Sequence, residues 1–242
     1  MVTILHITND GSRSDVFVSG LASPVRGILF DLVGTFGYGM LVTTYGGQIY
    51  GVNSAGIHKL LASVGEDTEG MDVAPLGGSF GPFNGQLVVM SEVSGLLRAV
   101  SPKGVVTVLN ASNPIVGSER VTFVPLDLGK SGSTLEGLYE ANYATNVLKA
   151  DGKQFEPYKG DAIVSTELGD RRISRVHWNG ASFDITVIGH FPSEAEDGVF
   201  LSPTMLNPGC PVSQDSRPSA VTNWCWPNCG KWRGRPRIDL SQ

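Results

Sequence analysis

Pro24-Val-Arg-Gly27-Ile-Leu-Phe-Asp31, Gly39-Met-Leu-Val-Thr-Thr-Tyr-Gly-Gly-Gln-Ile-Tyr-Gly-Val52 and Gly56-Ile-His-Lys-Leu-Leu-Ala62 follow one another in the chain, and their pattern returns. A second copy runs Glu69-Gly-Met-Asp-Val-Ala-Pro75, then Gly85 to Val100, then Gly104-Val-Val-Thr-Val-Leu109. A third opens at Arg120-Val-Thr-Phe-Val-Pro125 and, after an insertion, resumes from Gly160 to Val176 and from Gly180 to Ile188. Glu196-Asp-Gly-Val-Phe-Leu-Ser-Pro203 opens a fourth, and Asp15-Val-Phe-Val-Ser-Gly-Leu21 resembles the close of an earlier one. Each copy reads as four short strands rich in Val, Ile, Leu and Thr, cut by Gly, Pro, Asn or Asp turns. Four strands in roughly 45 residues is the period of a propeller blade. One such sheet cannot cover both its faces, and stacking copies radially buries them while keeping the edges short. The expected fold is therefore all-β, a β-propeller of four or five blades over residues 1–206. The two partial copies at its ends are expected to pair and close the ring; otherwise a truncated ring would close by oligomerising.

The composition agrees. The chain has 242 residues, 31 Gly and 14 Pro, only 17% charged residues and a net charge of −5. Such a chain buries a full core and is neither disordered nor a coiled coil. No apolar run is long enough for a membrane-spanning helix, and a net acidic chain lacks the basic face that nucleic acid requires. The expected partner is a small-molecule substrate, with no nucleic acid and no membrane. Met1 to Thr8 does not read as a signal peptide, which leaves a cytoplasmic location as the default. Residues 207–242 change character: they hold Cys210, Cys225 and Cys229 and break the glycine spacing, and are expected to form an irregular tail. Without a histidine there, those cysteines read as a disulfide or free thiols before they read as a zinc site.

The blade grammar of Pro24 to Asp31 and Gly46-Gly-Gln-Ile-Tyr-Gly-Val52 resembles that of NHL-type and gluconolactonase/regucalcin-like propellers. Glu69-Gly70 and Asp197-Gly198 resemble the acid-glycine openings of the second group. The resemblance covers about residues 15–203, and the insertion Thr134 to Tyr143 departs from it. It implies the architecture firmly and any one activity weakly, because this grammar serves lactonases, sugar dehydrogenases and binding modules alike.

Propeller geometry narrows the search for a site. The start of each innermost strand and the turn between the second and third strands share one mouth of the central channel. By repeat position, Arg26, Glu69, Arg120 and Asp197 precede the innermost strands, and Tyr45, Glu92, Glu167 and Asp170 occupy the turns. Carboxylates crowded at one mouth repel one another unless a cation or a proton lies among them. Oxygen donors without Cys or His suit Ca2+. The expected metal ligands are Glu69, Asp197, Glu92 and Glu167, with Asp72 behind them, and Arg26, Arg120, Tyr45 and Asp170 are expected to contact substrate. The competing reading leaves these acids solvated or paired with Arg26, Arg120, Arg171 and Arg172.

His58 and His177 fall in outer hairpins and read as solvated. His190 opens a loop on the mouth face and is the candidate general base. Serine-hydrolase, phosphate-binding, dinucleotide-binding and zinc-protease motifs are missing. Three functions follow in order: a Ca2+-assisted hydrolase of small lactones or esters, of the sugar lactone or acyl-homoserine lactone class, as the resemblance implies; a non-catalytic binding module; and a quinone-dependent sugar oxidoreductase.

Overall fold

The computed structural model describes residues 2–142, 146–167 and 169–206, with the backbone alone at Ala195. The unit Met1–Pro203 is a four-bladed β-propeller. Blade 1 is β3 (Val25–Phe30), β4 (Met40–Thr44), β5 (Gln48–Val52) and β6 (His58–Ser63). Blade 2 is β7 (Met71–Val73), β8 (Leu87–Met90), β9 (Leu97–Val100) and β10 (Val106–Val108). Blade 3 is β11 (Ser118–Phe123), β14 (Ala162–Thr166), β15 (Arg172–Trp178) and β16 (Phe183–His190). All pairs in these three blades are antiparallel, and the innermost strand of each of the three comes first in the chain.

The fourth blade corrects the expected closure. Its innermost strand, β17 (Ala195–Leu201), pairs with β12 (Gly137–Asn142), and β12 pairs with β13 (Asn146–Asp151). The insertion that broke the repeat thus supplies the second and third strands of blade 4. The N-terminal hairpin, β1 (Val2–Ile7) with β2 (Ser14–Leu21), forms its own two-stranded sheet and does not pair with β17. Residues 207–242, where the tail and its three cysteines fall, lie outside the described residues.

Period-two alternation builds the interior. In β4, Met40 and Val42 pack against Val18 and Leu21 of the N-terminal hairpin, whereas Leu41 faces Met71, Val73 and Leu87 of blade 2. In β8, Leu87 and Val89 face blade 1, and Val88 and Met90 join Val121, Phe123 and Val164 of blade 3. Ile163 of β14 points the other way, onto Leu138 and Phe200 of blade 4. The second strands are buried on both faces, which is why they read as continuous apolar runs instead of alternating ones. Each fully buried Leu or Ile contributes about 1.5–3 kcal/mol against the entropy of ordering the chain.

Every innermost strand is broken by a bulge at the same end. The pairing of β3 skips Arg26, that of β11 skips Glu119, and that of β17 shifts between Gly198 and Ala195. Ahead of β7, Glu69 N donates to Met90 O while Gly70 O accepts from Met90 N, so two residues again oppose one. Bulges re-aim side chains and collect beside functional sites. Here they turn Arg26, Glu69, Glu119 and Glu196 toward a common mouth.

Candidate metal centre at the channel mouth

The turn after β8 brings Glu92 to this mouth. Buried Arg98 holds it by donating through Nη1 to Ser91 Oγ (2.9 Å) and pairing through Nη2 with Glu66, which also accepts from Ser94 Oγ. A single residue then joins two turns: Gly117 N donates to Glu92 O (3.0 Å) and Gly117 O accepts from Glu167 N (3.1 Å). The β14–β15 turn is fixed further by Arg172 N donating to Thr166 Oγ1 at 3.0 Å.

The carboxylates of Glu69, Glu92 and Glu119 offer oxygens that all lie within 4.8 Å of one another. Glu119 is the deepest, with 8% of its surface exposed. Burial first, then the charges of Glu69, Glu196, Glu167 and Glu92, push its carboxyl up to about 8. Burial also raises Glu69, against the opposing pull of Arg26, and burial followed by the neighbouring Glu167 charge raises Glu196. Arg26 pairs with Asp67 (3.1 Å) and Glu69. Among the described residues, no ion pair reaches Glu92, Glu119, Glu167 or Glu196. Five glutamates around one arginine leave an excess of negative charge that a bound cation would neutralise.

The positional reading placed Glu69, Glu92 and Glu167 in this group. It missed Glu119 and Glu196. The third and fourth copies were aligned one residue too far along, on Arg120 and Asp197, because a bulge adds a residue that strand periodicity does not count. Aligning Glu69-Gly70, Glu119-Arg120 and Glu196-Asp197 on the acid would have found both. Asp197 instead pairs with Arg120 (3.1 Å), and its side chain is 79% exposed. Asp72 is half-buried and accepts from Phe123 N (2.8 Å), Val73 N (2.8 Å) and Thr122 Oγ1 (3.2 Å), which ties blade 2 to blade 3. Burial raises its carboxyl, and Arg120 opposes that rise.

The remaining expected residues stand apart from the glutamates. Tyr45 is exposed, and Asp170 is exposed beside Arg172 at 3.5 Å. His190 ends the outermost strand of blade 3, opposite Arg172, and lines a separate cavity of about 350 Å³ with Phe155, Tyr158 and Phe191. His177 is not a solvated surface group. Its Nδ1 lies 2.9 Å from Asp161, which also accepts from Ser79 Oγ (2.5 Å) and from Arg175 Nε (2.7 Å).

No family model matches the chain, and no curated protein matches it. Among solved structures it is similar to a virginiamycin B lyase from Staphylococcus aureus, at 14% identity and a TM-score of 0.41, covering 79% of this chain and 64% of that one. It is similar also to a streptogramin B lyase, at 11% identity and a TM-score of 0.41, covering 79% of this chain and 62% of that one. The chain therefore spans less than two thirds of the length of either structure, and the likeness concerns the fold alone.

Proposed function

We propose that the mouth binds one Ca2+ ion on Glu69, Glu92 and Glu119 and that the protein hydrolyses small lactones or esters there. The observation that carries the reading is Glu119. It is a carboxylate more than nine-tenths buried, grouped with two others, and without a hydrogen-bond or ion-pair partner among the described residues. A carboxylate held that way has a role for a cation or a proton and costs stability without one. The donor set, all oxygen, favours Ca2+ over zinc or copper.

Bound at these oxygens, Ca2+ would supply Lewis acidity toward the substrate carbonyl. The chain's own residues supply the rest. The neighbouring Glu167 and Glu196 supply the carboxylate that accepts a proton from the attacking water. The new bond joins water oxygen to the carbonyl carbon, the ring or ester C–O bond breaks, and the proton passes to the leaving alkoxide. Products are a carboxylic acid and an alcohol, with no further reactant. Arg26 fixes Glu69 from the rim.

The experiment is turnover of a lactone panel in water enriched in heavy oxygen, with and without chelator. The reading expects ring opening that depends on Ca2+ and places one heavy oxygen in the acid. Ring opening without that oxygen would instead be elimination, the reaction class in the names of the two similar structures. Ca2+ binding with no turnover on any lactone would leave a binding module.

A further inference from the structure

Beside the mouth lies a second concavity of about 410 Å³, within the range of small-ligand sites. Ile28 of β3 forms one side, and Ala141, Val147 and Val199 of blade 4 form the other. Ile28, Val147 and Val199 all expose large apolar surface. At the polar end stand Arg120, Asp197 and Glu140. Glu140 is 1% exposed, pressed under Gly198, and its Oε2 meets no partner. The Nε of Arg120 is likewise buried and without a partner. The guanidinium is held instead through Nη1 by Asp197, which is mostly in solvent and therefore easily displaced.

We infer that this groove holds the acyl arm of the substrate, with an oxygen of its carboxyl or ester group accepting from Arg120 in place of Asp197 and its hydrocarbon chain lying on Ile28, Val147 and Val199. This inference rests on the lactone or ester reading of the mouth and narrows it, from lactones in general to those carrying an aliphatic acyl group. A sugar lactone would set hydroxyls against three aliphatic side chains that return no hydrogen bond. An alkylammonium would meet the Arg120 cation. Burial pushes the Glu140 carboxyl up to about 8. Continuity with the mouth is covalent: Glu119 and Glu196 of the metal group directly precede Arg120 and Asp197 of the groove.

The test is calorimetric titration of the whole chain with hexanoate, acetate, hexylammonium and gluconate, in chelator so that no turnover enters. Hexanoate should bind about tenfold or more tighter than acetate, and hexylammonium and gluconate should not compete with it. Val147→Asp and Arg120→Gln should each weaken hexanoate about tenfold. Val147 is exposed, so its variant keeps the fold even where Arg120→Gln does not. Binding of hexanoate no tighter than acetate, or hexanoate affinity untouched in Val147→Asp, overturns the inference. A lactone panel without turnover alongside selective hexanoate binding would fail the hydrolase reading and leave the groove assignment standing; turnover indifferent to the acyl chain would do the reverse.

Discussion

Gly70 lies against Glu119 so closely that a Cβ on Gly70 would stand 2.8 Å from the Glu119 carbonyl oxygen, 2.9 Å from Arg120 Cα and 2.7 Å from Met90 Sδ. The contact repeats one blade earlier, where a Cβ on Gly27 would stand 2.8 Å from Glu69 O. These glycines let adjacent innermost strands approach at their bulges, and that approach brings Glu69 and Glu119 within reach of one ion. Gly70→Ala should therefore do two things. Overpacking should cost about 1–3 kcal/mol in urea denaturation, and separation of the two glutamates should weaken Ca2+ binding by calorimetry. Unchanged affinity in a destabilised protein would uncouple the strand approach from the site.

Glu119 titrates in a direction that stability measurements can read. Its folded-state carboxyl sits at about 8 and its ordinary value is 4.5. The folded form holds a proton that the unfolded form has lost, so stability is fully present below about pH 4.5 and falls as pH rises to about 8. The Glu119→Gln variant lacks this slope. The gap in Tm between variant and metal-free parent should widen in favour of the variant from pH 5 to pH 8, and saturating Ca2+ should close it. A constant gap across that window contradicts the placement of the charge.

Arg26 separates a metal site from a simple ion pair. As the cation paired with Glu69, it repels an incoming ion and competes for that carboxylate. Arg26→Gln should tighten Ca2+ binding about threefold or more. If Arg26 and Glu69 form only a salt bridge, the variant should lose stability and gain no affinity.

At Asp161 the charges are structural. The carboxylate is 2% exposed and joins Ser79 of blade 2 to Arg175 and His177 of blade 3. Removing one side of a buried pair strands its partners. Asp161→Ala should cost about 3–5 kcal/mol by denaturant unfolding, with Ca2+ affinity at the mouth unchanged. A loss of Ca2+ binding in still-folded Asp161→Ala would show coupling that the hydrogen bonds do not carry.

The blades were legible because their burial is periodic. Leu87 to Met90 and Ala162 to Thr166 announce strands covered on both faces, and Gly46-Gly47 and Ser94-Gly95 announce the turns between them. Blade 4 was not legible, because β17 takes its partners from a hairpin inserted between β11 and β14, and pairing across that distance leaves no local mark. The site was half legible for a related reason. Turn acids such as Glu92 and Glu167 follow from repeat position alone. Glu119 and Glu196 depend on bulges, which shift a side chain by one residue at the point where its direction decides the chemistry. His177 was misread because its partner, Asp161, lies across a strand pair and not next to it in the chain.

The most direct test is titration of metal-free protein with Ca2+ by calorimetry at neutral pH, repeated for Glu119→Gln and Glu92→Gln. One ion should bind the parent, with affinity lowered about tenfold or more in each variant. A parent that takes up no Ca2+ at millimolar concentration, or variants that bind it as the parent does, would contradict the account.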